Sequence, residues 1–174
     1  WEMTDMMHLK AIEIISKWLR KSVEGDMEAR EKMALGQYIA GMGFSNVGLG
    51  IDHSMAHPLS AFYDIPHGVA CAILLAPVLT FNASATGERY REVARAMGVA
   101  DVDTMSQDEY RQAAIDACQK LADDVGIPRK LSELGVQEKD IDFLADSAMA
   151  DACTPGNPRD VEKSQIVALY KSIL

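Results

Sequence analysis

The chain is short of aromatic residues, and apolar–polar alternation of the kind that marks half-buried strands is almost missing. Its three cysteines, Cys71, Cys118 and Cys153, are far apart and form no Cys-x-x-Cys pair. That excludes a disulfide scaffold and points to a reducing, cytoplasmic compartment. Cations are in deficit, with 17 Lys plus Arg against 26 Asp plus Glu. An acidic chain without a basic stripe is a poor partner for nucleic acid or an anionic membrane, because phosphate attraction needs clustered positive charge. The longest apolar run, Val69 to Leu79, is too short for a bilayer and carries Pro77. No signal peptide is expected from these residues, and Asn82-Ala83-Ser84 is read as a chance sequon. Internal repeats and low-complexity tracts are absent. The first residue, Trp1, already stands in helical rhythm, so the chain is expected to be cut from something longer.

What is present is helical periodicity. Met7, Ile12, Ile15, Trp18 and Leu19 stripe a first helix that should end near Gly25. Asp26 is placed to cap a second, carrying Met33, Leu35, Tyr38, Ile39 and Phe44. That second segment holds Gly36, Gly41 and Gly43. A helical glycine costs about 1 kcal/mol against alanine, so close approach of another helix or a ligand is expected there. Ser106 with Glu109 forms a capping-box pattern for a helix running to Gly126. Further helices are expected over 86–98, 138–152 and 161–173, with a turn-rich connection through Thr154-Pro155-Gly156-Asn157-Pro158-Arg159. The expected fold class is all-α, a helical bundle forming one domain over residues 1–174.

Three of the four histidines, His53, His57 and His67, fall within fifteen residues. Imidazole is a common transition-metal ligand and the usual proton carrier near neutral pH. His53 and His57 are four apart and share a helix face. The His-Glu-x-x-His zinc pattern is not met, since Ser54 stands where the glutamate would be. Pro58 pushes His57 from regular helix geometry, which would turn it away from His53. A turn at Asp64-Ile65-Pro66 lets His67 open the next helix at the same end of a bundle as His53. Spacing alone leaves two readings: a ligand pair at His53 and His67, or histidines bonded to backbone carbonyls. His8 is read as structural, and Cys71 and Cys118 as small core residues. Gly41-Met42-Gly43 follows no strand and has Asn46 at the third glycine's place, so a dinucleotide fingerprint is rejected.

Three stretches then carry a resemblance: Gly41-Met42-Gly43-Phe44-Ser45-Asn46-Val47-Gly48-Leu49-Gly50, His53-Ser54-Met55-Ala56-His57-Pro58-Leu59, and Tyr63-Asp64-Ile65-Pro66-His67-Gly68-Val69. With Asn157-Pro158-Arg159 near the end, they resemble the iron-containing alcohol dehydrogenases, in particular the lactaldehyde (1,2-propanediol) reductase and 1,3-propanediol dehydrogenase branch. The likeness runs over the whole chain. It implies an all-α C-terminal domain that carries a divalent metal, Fe2+ first with Zn2+ or Ni2+ as alternatives. In that family an N-terminal α/β domain binds NAD(P), and one Asp and three His hold the metal.

By the same resemblance His53 and His67 are metal ligands, and His57 is catalytic and near the nicotinamide. Phe44 and Cys153 line the substrate pocket. The remaining Asp and His ligands and the nucleotide-binding domain are expected to precede Trp1, so the chain alone should be inactive. The implied reaction is hydride transfer between NAD(P) and a small primary alcohol or aldehyde. An uncovered apolar face would favour a homo-oligomer. Two competing readings are a free-standing helical binding module that keeps the architecture without catalysis, and a two-histidine metal protein completed by a partner's ligands.

Overall fold

The computed structural model describes residues 1–174. Eight α-helices follow in order: α1 (Glu2–Val23), α2 (Met27–Val47), α3 (Ile51–Tyr63), α4 (His67–Asn82), α5 (Arg89–Ala96), α6 (Gln107–Asp124), α7 (Ile141–Met149) and α8 (Lys163–Ser172). Short 3-10 turns join several of them, and there is no strand. The all-α expectation holds. The chain divides into two compact units, Trp1–Gly48 with Thr86–Val125, and Leu49–Ala85 with Gly126–Leu174.

In the first unit α1 lies along α2, and α5 packs on both α1 and α6. Asp26 caps α2 as its position predicts, accepting the Ala29 N–H at 2.8 Å. The glycines of α2 explain themselves at two positions. A methyl on Gly36 would meet Ile14 at 3.0 Å, and one on Gly43 would meet the His8 ring at 2.5 Å. The two helices therefore approach as closely as they do because these side chains are missing. His8 is thus a packing residue. The Ser106–Glu109 capping box forms at the start of α6.

The second unit has one apolar core, built from Ile51, Met55 and Leu59 of α3, Ile73, Leu74 and Val78 of α4, Leu144 and Ala148 of α7, and Ile166 and Tyr170 of α8. The Tyr170 hydroxyl is buried and donates to the Met55 carbonyl at 2.7 Å, joining α8 to α3. By length and composition, residues 67–85 would suffice to cross a membrane. Six of their side chains, including Ile73, Leu74 and Val78, are nevertheless buried in this unit. Asn157-Pro158-Arg159 clamps the end of α4: Asn157 and Asn82 exchange two amide hydrogen bonds of 2.9 Å. Arg159 donates to the Phe81 carbonyl and lies over the Phe81 ring.

Two departures from the sequence expectation bear on the site. α3 runs unbroken through Pro58 to Tyr63; proline removes one N–H donor, and burial of Pro58, Leu59 and Met55 in the core holds the helix together regardless. The helix expected to open near residue 138 begins as a 3-10 turn and becomes α-helical only at Ile141.

Candidate metal centre

The site grows out of one local device. α3 ends at Tyr63, and Asp64 takes a left-handed conformation (φ 54°) that reverses the chain. Pro66 then precedes α4, which His67 opens. Two helices joined by a three-residue turn bring the middle of the first beside the start of the second. As a result the rings of His53 and His67 lie 5.3 Å apart between centroids. His57 joins them, stacked on His67 at 5.5 Å and edge-on to His53 at 6.2 Å. Because α3 does not break at Pro58, His57 is not turned out of the group.

The convergence brings in residues that sequence reasoning missed. Cys71 is one turn beyond His67 on α4, and its Sγ is 3.5 Å from His67 Nε2. Ligand atoms of His53, His67 and Cys71 all lie within 4.8 Å of one another. The i, i+4 spacing of His67 and Cys71 was the available signal, hidden by the apolar sequence around it. Asp52, beside His53, is largely buried, and its Oδ1 has no hydrogen-bond partner. Burial lifts its carboxyl to about 7, against a lowering by the hydrogen bond with Cys71. Burial also pushes the Cys71 thiol up to about 12, with Asp52 adding to it. Burial lowers His53 below its ordinary value, and the neighbouring His67 and His57 lower it further. A neutral His53 is the form that binds a cation.

On the other flank His57 Nδ1 lies 2.7 Å from Asp151 Oδ2. Cys153, two residues on, gives its backbone N–H to Asp151 Oδ1 at 2.8 Å. Its thiol is raised above the ordinary range by burial and by Asp151. Phe44, the remaining expected site residue, sits near the end of α2 in the first unit with 40% of its surface exposed. A wide groove is also in that unit, lined by Asp5, Leu9, Lys10, Glu92 and Arg95 among others. It holds neither histidine nor cysteine, so the chemistry of the donors and not the size of the concavity marks the candidate site.

The donor set fits a divalent transition metal on two counts. Two imidazoles and a thiol are borderline-to-soft ligands that Fe2+, Zn2+ and Ni2+ accept. A buried carboxylate oxygen without a partner beside them is the kind of group a cation would satisfy.

Residues 1–174 match the pattern described as Fe-containing alcohol dehydrogenase family, C-terminal. The chain belongs to that family. It is 58% identical over 170 residues to a lactaldehyde reductase of Escherichia coli (strain K12), covering 98% of this chain and 44% of that protein. It is 38% identical over 170 residues to a 1,3-propanediol dehydrogenase of Citrobacter freundii, covering 97% and 44%. Among solved structures, a 1,3-propanediol oxidoreductase superposes with a TM-score of 0.95 at 38% identity, covering 98% of this chain and 45% of that one. An alcohol dehydrogenase from Oenococcus oeni gives 0.93 at 37%, with 98% and 45% covered. The chain therefore spans less than half the length of the family members it matches.

Proposed function

We propose that the chain is the metal-carrying C-terminal domain of a cytoplasmic NAD(P)-dependent dehydrogenase of small primary alcohols and aldehydes. The observation that carries this reading is the meeting of His53 and His67 from two helices at 5.3 Å, in a chain of this family. His53 and His67 would hold the divalent cation, with the remaining ligands and the NAD(P) site supplied from outside these 174 residues. When bound, such a cation supplies a Lewis acid that polarises a carbonyl or favours the deprotonated alcohol. The nicotinamide takes or gives the hydride.

The chain's own residues do the rest. His53, kept neutral by burial, offers a lone pair without prior loss of a proton. His57 stands beside both ligands and is the catalytic imidazole, able to carry the hydroxyl proton. Cys153 keeps its proton because burial and Asp151 raise its thiol; it lines the substrate pocket as a small, weakly polar wall. Phe44 is assigned to that pocket by the family resemblance. On this reading the chain alone turns over no alcohol.

A graft tests the proposal. Residues 1–174 would replace the matching 44% of the Escherichia coli lactaldehyde reductase. The expected result is NAD(P)-linked oxidation of a small diol. His53→Ala and His67→Ala should each lower it by at least about 1000-fold, the scale of the several kcal/mol a Lewis acid provides. A folded graft that binds nucleotide yet shows no turnover would overturn the reading, and so would full turnover in the double variant.

A further inference from the structure

We propose that Asp151 is the positioning residue for His57, holding the ring in its Nδ1–H tautomer so that Nε2 keeps a free lone pair. The use of that lone pair in catalysis rests on the dehydrogenase reading; the geometry does not.

The distance between His57 Nδ1 and Asp151 Oδ2 is 2.7 Å. His57, Asp151 and Cys153 offer ligand atoms close enough together to suggest a cation of their own. The short contact argues otherwise. Two ligands of one tetrahedral ion, with bonds of about 2.0–2.2 Å, sit roughly 3.3–3.6 Å from each other. At 2.7 Å the pair shares a proton. Burial raises the Asp151 carboxyl, but the hydrogen bonds from His57 and the Cys153 amide outweigh it and leave it below the usual carboxylate range. An ionised carboxylate only accepts, so the shared proton belongs to Nδ1.

The carboxylate is itself fixed. Asp151 follows α7, and its N–H donates to the Ala148 carbonyl at 3.2 Å while its own carbonyl accepts the Thr154 N–H at 3.2 Å. Oδ1 receives the Cys153 N–H, leaving Oδ2 turned to the ring. The Thr154 hydroxyl donates to the Ala148 carbonyl at 2.6 Å and touches the fully buried Ser54 hydroxyl at 2.8 Å. Ser54 lies on α3 one turn before Pro58, between His53 and His57. A turn 94 residues away in sequence is thereby locked to the helix that carries the imidazole. The 2.7 Å contact of Nδ1 with Asp151 is in the range of a charge-assisted hydrogen bond.

The consequence for the reaction is a defined path for one proton. During oxidation the hydroxyl O–H bond breaks and the carbon loses a hydride, with its two electrons, to the oxidised nicotinamide. The proton passes to His57 Nε2, giving an imidazolium whose Nδ1–H remains donated to Asp151. Reduction of the aldehyde runs the same transfers backwards. A carboxylate on Nδ1–H is a known means of fixing the useful tautomer and stabilising the imidazolium.

Nitrogen-15 NMR of the histidine rings in the metal-free 174-residue chain tests the proposal. The expected spectrum shows His57 protonated at Nδ1 and bare at Nε2. Asp151→Ala should return it to the Nε2–H form that free imidazole side chains favour. Asp151→Asn keeps the shape but offers a neutral and weaker acceptor, so both tautomers should appear. A wild-type His57 protonated at Nε2 would overturn the assignment, as would a pure Nδ1–H form that survives both substitutions. Because the readout is a tautomer in the chain itself, it stands or falls independently of turnover in the graft.

Discussion

The two units differ in where their perturbed acids lie. In the first unit, acids sit at the surface and are held below their ordinary range by partners: Asp5 by Arg89, Glu109 by Ser106, and Asp124 by Lys120 and Arg20. In the second unit the polar groups that matter are partly or wholly buried. Asp52 is lifted by burial and Asp151 is caught between burial and its hydrogen bonds. Surface pairs of the first kind contribute little to stability. Buried polar groups of the second kind cost free energy unless a partner satisfies them. The first unit reads as scaffold and the second as the place where the fold spends stability on a site.

Apolar exposure follows the same division. Trp1, Met6, Met27, Tyr38 and Val47 of the first unit are more than half exposed. The second unit's exposed aromatics, Phe62 and Phe143, at least pack edge-on against each other at 4.7 Å.

Three substitutions sharpen the contrast. Leu144→Ala empties a fully buried position in the second unit's core and should cost about 2–5 kcal/mol in urea unfolding. A loss well below that range would mean that the core is looser than its burial indicates.

Asp52→Asn is the pH test. The folded carboxyl stands at about 7 against 3.8 for the free group, so the folded state holds its proton more tightly than the unfolded state. Its stabilising contribution is complete below about pH 4 and is lost as pH rises through about 7. In the metal-free chain Asp52→Asn should therefore match the parent near pH 4 and exceed it above pH 7, by up to about 4 kcal/mol. Equal stability at both ends, measured by unfolding across the range, would remove the buried acid from the account.

Asp124→Asn, in the first unit, breaks the exposed contacts with Arg20 and Lys120. The unfolding midpoint should barely move, and a large drop would contradict the scaffold reading of that unit.

Much of this was legible in the sequence because helix signals are local. The Asp26 cap, the Ser106–Glu109 box and the turn at Asp64-Ile65-Pro66 all act within a few residues. His53 and His67 could be paired because that turn alone sets their approach. The departure from helix geometry expected at Pro58 does not interrupt α3, which runs through it to Tyr63. Asp151 was invisible for a different reason: it reaches His57 across 94 residues, and nothing near it in the chain marks it. Cys71 was hidden by its apolar neighbours and Asp52 by its ordinary look at a helix start.

The most direct measurement is a crystal of the chain soaked in Co2+, with the ion located by its anomalous scattering. A single site about 2.1 Å from one ring nitrogen each of His53 and His67 is the predicted result. An ion seated instead among His57, Asp151 and Cys153, or no ion near the three rings, would contradict the account.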